Sequence, residues 1–250
     1  MIPATPPGSV AAAVAAFRAG RPVVLAPRHG DRPCDAVLPA ALAGTAWTAW
    51  LIRHTSGLLR VPMEPGRADE LRLPALRADP GTRCGAVTVS VDAEGVGTGI
   101  SAVDRALTAR VLADPASRPD DLRRPGHLLP VRVAEGGGPG GAGADEAAVA
   151  LCRAAGLPAV ALAAGLVGAG TGLADPATAV RIAHRHGLVV ADPAEVLTHL
   201  TRDPADPRDP AEPRDPVGVH DPAGVLARTR RHPAAPLATT HPTARHLEHL

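Results

Sequence analysis

One candidate acid-base residue of this 250-residue chain is His127, set in RPGHLLP (124–130) between a Pro-Gly turn and an apolar run that reads as a strand. Imidazole titrates near neutral pH and can give or take a proton there, although a hydrogen-bonded structural histidine reads the same way. A second group lies in the polar loop PRHGDRPCD (27–35), which gathers His29, Asp31, Cys34 and Asp35, a set suited to a hard metal or to proton transfer. Two further stretches suit an anion. In AEGVGTGISAVDR (93–105), three glycines join a strand to a helix opened by Ser101, so backbone amides can approach a ligand closely, as they can in any capped glycine turn. In RHTSG (53–57), Arg53 and the hydroxyls of Thr55 and Ser56 suit a phosphate, or else form an ordinary basic end to a helix.

Composition narrows what these groups can do. The formal charge of +1, with no basic block, argues against a nucleic-acid or membrane-surface partner and leaves a small molecule. The chain contains no Lys, Asn, Gln or Tyr, which excludes a Schiff-base or phosphate-binding lysine, an N-glycosylation site and a phenolic acid. Cys34, Cys84 and Cys152 are odd in number and far apart, so neither a disulfide framework nor a zinc site is indicated, and the cytoplasm is the expected location. Ser9 followed by the apolar run to Ala19 and Gly20 reads as a capped amphipathic helix rather than a signal peptide.

The elements that must position these residues alternate. Strands are expected at 22–26, 35–40, 57–63, 85–93, 127–134, 158–163 and 187–192, and helices at 9–19, 43–53, 65–72, 102–113, 145–155, 176–186 and 193–200. That order predicts one layered α/β or α+β domain. After Leu200 a DP-rich repeat predicts a disordered or extended tail, in which His241, His246 and His249 are scattered solvated residues.

Taken in order, the stretches AEGVGTGISAVDR, RPGHLLP and RHTSG resemble motifs of the 3,4-dihydroxy-2-butanone 4-phosphate synthase family, and the similarity runs from about Ser9 to about Leu200. The resemblance implies an α+β fold, a mixed α/β sandwich, in a single domain over 9–200, with an extension at 1–8 and the tail at 201–250. It also implies a homodimer with sites near the subunit interface. The family's reaction converts D-ribulose 5-phosphate into 3,4-dihydroxy-2-butanone 4-phosphate and formate with Mg2+ or Mn2+. Of the acid-base candidates, the resemblance retains His127 and the loop's closing acid Asp35, while Asp31 and Cys34 join them only as the new set of a repurposed site. The substrate contacts are Arg53, Thr55, Ser56, Thr98, Ser101, Asp104, Arg105, Asp145 and Glu146.

The carry-over is uneven. The family's D-R-E-N-E-G-D loop falls on His29 to Asp35, placing Asp31 where the metal-binding Glu stands and Gly30 where a substrate Arg stands. Its R-G-G-H-T-E loop falls on Gly141 to Glu146, placing Ala144 where the metal-binding His stands, and a further Glu falls at Gly165. Alanine cannot ligate a metal, so Asp31 and Ala144 do not form the family's site and no cofactor is expected, with Mg2+ or Mn2+ only if the family reaction is retained. The leading expectation is therefore a repurposed enzyme performing metal-independent proton transfer or dehydration on a small polar or phosphorylated metabolite. The alternatives are the family reaction itself and a non-catalytic homologue that binds a metabolite or an intact synthase.

Overall fold

The computed structural model describes residues 9–28, 33–76, 86–133, 143–168 and 172–200. In chain order it forms α1 (Ser9–Arg18), β1 (Val23–Leu25), β2 (Asp35–Pro39), α2 (Thr45–His54), β3 (Arg60–Met63), α3 (Pro65–Glu70), β4 (Ala86–Val87) and β5 (Val91–Ala93). There follow α4 (Ala102–Ala113), β6 (Leu122–Arg132), α5 (Ala144–Ala154), β7 (Ala161–Gly165), α6 (Pro176–Arg185), β8 (Val189–Ala191) and α7 (Pro193–Leu200). Short 3-10 turns occupy Ala40–Leu42 and Pro119–Asp121.

The strands form a mixed sheet in the order β4-β6-β3-β7-β2-β1-β8, with β5 paired to β6 beside that path. β3 runs parallel to β6 and β1 parallel to β8, while the remaining pairs are antiparallel. Because side chains alternate along a strand, β1, β2 and β7 each feed two cores. Ala36, Leu38, Leu162 and Ala164 pack toward α2, α4 and α6 on one side. Val37, Ala161 and Ala163 pack toward Phe17 of α1 and Leu151 of α5 on the other. The result is a helix-sheet-helix sandwich, the mixed α/β class expected from the alternation of elements.

Helix starts follow their local chemistry. The Ser101 hydroxyl accepts from the Asp104 amide at 3.1 Å to open α4, and Asp175 accepts from the Thr178 amide at 2.6 Å to open α6, with Pro176 at its first position. At α5 the direction is reversed: the Gly143 amide donates to the Glu146 carboxylate at 2.8 Å.

β3 and β7 each start three residues later than expected, and two further strands differ in extent and pairing. The run expected as one strand at 85–93 is broken at 88–90 into β4 and β5, which meet different parts of β6. β6 itself begins at Leu122 rather than 127, because RRPG, which reads as a turn, lies extended against β5 across a register shift between Val91 and Asp92. The tail expected at 201–250 lies outside the described residues. No described helix is long and apolar enough to cross a membrane.

Leu162, fully buried in β7 opposite Leu38 of β2, tests the packing. Leu162→Ala is expected to lower unfolding free energy by about 2 to 5 kcal/mol, read as a fall in the urea midpoint with an unchanged slope.

Candidate active site

His127 is held by a buried carboxylate. Asp92, on β5, accepts from the His127 backbone amide at 2.9 Å and lies 2.8 Å from its ring Nδ1. An ionised carboxylate accepts only, so Nδ1 carries the proton and the lone pair sits on Nε2, which has no protein partner among the described residues. The Asp92 side chain is 7% exposed and that of His127 37%, so the pair has a buried anchor and an open working end. Two glycines make room for it. At Gly99, φ is +78° and a Cβ would fall on the Asp92 carboxylate and the His127 ring; at Gly126, a Cβ would fall on the backbone of Val91 and Asp92.

A second polar cluster joins β2, β3 and α5. Arg60 opens β3, Asp35 opens β2 and Asp145 lies in the first turn of α5. Arg60 Nη2 donates to Asp35 Oδ1 and to Asp145 Oδ1, both at 2.9 Å, and Nε lies 3.3 Å from each Asp145 oxygen. Burial works against the Arg60 charge, but Asp145 and Asp35 outweigh it and hold its pKa above the ordinary value. Burial also pushes the Asp35 carboxyl above the usual carboxylate range, opposed by Arg60 and assisted by Asp145. Leu129 is the β6 partner of Arg60, and His127, two residues back, stands on the same face by alternation, roughly 7 Å along the strand. The two clusters thus share one side of the sheet.

The motif residues are brought together, mostly by backbone contacts. The Ser56 amide donates to the Gly165 carbonyl at 2.8 Å, and Gly165 pairs with Asp35 across β7 and β2. Arg105 Nη1 donates to the Gly57 carbonyl at 2.9 Å, tying RHTSG to α4, while its buried Nε has no partner among the described residues. The Thr55 hydroxyl is buried and donates to the Leu51 carbonyl at 2.6 Å. Asp104 Oδ2 accepts from the Gly99 amide at 3.2 Å, and Ser101 and Glu146 serve as helix caps. Arg53, Ser56 and Thr98 are exposed. His54 instead packs on Trp50 and His186, with ring centroids 4.9 and 4.7 Å away, where burial and neighbouring positive charge lower its pKa.

Cys34 is fully buried, and burial followed by the charges of Asp35 and Asp175 pushes its thiol up to about 11. At neutral pH it is a protonated thiol. His29, Gly30, Asp31, Gly141 and Ala142 lie outside the described residues. Asp92 and Arg60 escaped the sequence reading, although each left a signal: a charged residue inside an apolar strand run, VSVDA and GLLRVPM, has to find a partner once folded.

Two measurements test this geometry. Gly99→Ala is expected to separate His127 from Asp92 and abolish the Nδ1-H preference in the ring 15N shifts. Gly95→Ala, where φ is +80° and the surroundings are open, should leave those shifts unchanged at a backbone cost of about 1 to 2 kcal/mol. In a Cys84→Ser background, alkylation of Cys34 at pH 8 is expected to be negligible in the native protein and rapid in urea.

Residues 11–199 match the family model described as 3,4-dihydroxy-2-butanone 4-phosphate synthase. The chain is 37% identical over 206 residues to the 3,4-dihydroxy-2-butanone 4-phosphate synthase of Pyricularia oryzae, covering 76% of this chain and 88% of that protein. It is 44% identical over 153 residues to riboflavin biosynthesis protein RibBA of Salinispora arenicola, covering 60% of this chain but spanning only 36% of that relative's length. A crystal structure of 3,4-dihydroxy-2-butanone 4-phosphate synthase in complex with two magnesium ions superposes with a TM-score of 0.71 at 35% identity, over 76% of this chain and 95% of that one. With the helix-sheet-helix sandwich and the three motifs gathered at one end of it, the match shows that the chain belongs to the 3,4-dihydroxy-2-butanone 4-phosphate synthase family.

Proposed function

We propose that this protein is a lyase of its family's type, converting D-ribulose 5-phosphate into 3,4-dihydroxy-2-butanone 4-phosphate and formate. The observation that carries this reading is the His127 and Asp92 pair: a histidine locked in one tautomer by a buried carboxylate, with Nε2 open beside a glycine turn and a helix start. Such a nitrogen can take a proton from the carbon next to a carbonyl, and Asp92 stabilises the imidazolium that results. The Ser56 hydroxyl and Arg53, both exposed, suit the phosphate end of the substrate. Leu58, Ile100 and Val103, each more than half exposed beside these motifs, suit the homodimer interface that the family resemblance implies.

A divalent cation, which the similar structure with two magnesium ions implies, does not fit the donor set described. Among the described residues no three His, Cys, Asp or Glu side chains converge as a cation site. Ala144 and Gly165 offer no side-chain ligand, and Asp35 and Asp145 are already hydrogen-bonded to Arg60. The proton transfer assigned to His127 stands on the chain's own residues. The same ion cluster favours a second reading, metal-independent proton transfer or dehydration of another small polar or phosphorylated metabolite by His127, with Asp35 engaged by Arg60 and the buried Cys34 thiol held protonated.

Incubation of the purified protein with D-ribulose 5-phosphate and Mg2+ is expected to release formate, and His127→Gln to slow that release by about 100-fold or more. No formate from the unaltered protein would sink the first reading. Deuterium exchange into the sugar phosphate without formate, lost in His127→Gln, would favour the second.

A further inference from the structure

The position of Arg60 has a consequence for the charge balance of the site. Two carboxylates, Asp35 at 5% and Asp145 at 14% side-chain exposure, converge on one point from β2 and α5. Two shielded carboxylates that share a point need a positive charge there, because their mutual repulsion in a poorly hydrated setting is costly. In this chain the charge is Arg60. Its Nε and Nη2 edges are consumed by the two aspartates, whereas Nη1 has no partner among the described residues and the side chain keeps 22% exposure.

We propose that the guanidinium of Arg60, clamped by Asp35 and Asp145, occupies the place of a divalent cation as a built-in positive charge, and that its free Nη1 edge is a contact for a substrate oxyanion. A guanidinium stays protonated at any working pH, so the charge cannot be chelated away. The clamp also pre-orients the group: three of its five N-H bonds are fixed on protein oxygens, leaving the two on Nη1 in one plane. Such a donor pair suits the oxygen of an enolate or enediolate, on the face of the sheet where His127 stands. The role as an oxyanion contact rests on the function proposed above; the displacement of a cation does not.

The test is Mn2+ binding followed by electron paramagnetic resonance of the free ion, independent of turnover. The unaltered protein is expected to leave Mn2+ free up to millimolar concentration. Arg60→Met, which opens the two carboxylates, is expected to bind one Mn2+ at least tenfold more tightly, and a further Asp35→Asn exchange to cancel the gain. Arg60→Lys, which keeps the charge, is expected to stay silent like the parent. Circular dichroism identifies any variant that has not folded, and in that case the parent measurement still decides. Mn2+ binding by the unaltered protein that is lost in Asp35→Asn or Asp145→Asn would overturn the proposal, as would a folded Arg60→Met that binds Mn2+ no better than the parent. A failed formate assay leaves this result untouched, and EDTA is expected not to alter any turnover found.

Discussion

A charged group in the inner rows of a sheet has to be neutralised where it stands, and Arg60 meets that constraint by joining three elements. It begins β3, yet its partners come from the head of β2, 25 residues earlier, and from the first turn of α5, 85 residues later. Removing one member of such a cluster strands the others in a poorly hydrated place, a change that typically costs about 3 to 5 kcal/mol. The ion cluster therefore ties the first turn of α5 to the sheet. It also fixes the charge available to a ligand on the face that His127 shares.

The order and type of elements were legible from local sequence. Ser9, Ser101 and Pro176 mark helix starts, and α1, α4 and α7 fall within a residue of the expected limits. What was not legible depended on distant partners. The break between β4 and β5 arises because Val87 pairs with Val131 while Val91 pairs with Leu128, an offset set by β6. The segment before His127 reads as a turn by its Pro and Gly, but β5 supplies an extended neighbour for it. Asp92 and Arg60 were visible as charges in apolar runs, whereas their partners could not be named without the fold.

The site also explains why the motifs point to a family more firmly than to a reaction. Thr55 bonds the end of its own helix, Ser101 and Glu146 cap theirs, and Asp104 holds the Gly99 amide. Polar motif residues that look like ligand contacts are thus largely engaged in building the backbone around the site. A sequence can keep such residues, and with them the sandwich, while the positions that touch metal or substrate change. The family resemblance aligns Ala144 and Gly165 with positions of that second kind, and Arg60 pairs with Asp145, the neighbour of Ala144.

The small cap at α5 shows how this separation is achieved. The Gly143 amide is held by Glu146 within the helix's own first turn, so Asp145 reaches Arg60 from a helix that sets its own starting point. A helix that caps itself keeps its register whatever side chains precede it, so the placement of Asp145 over the sheet and the chemistry offered there are separable parts of this fold.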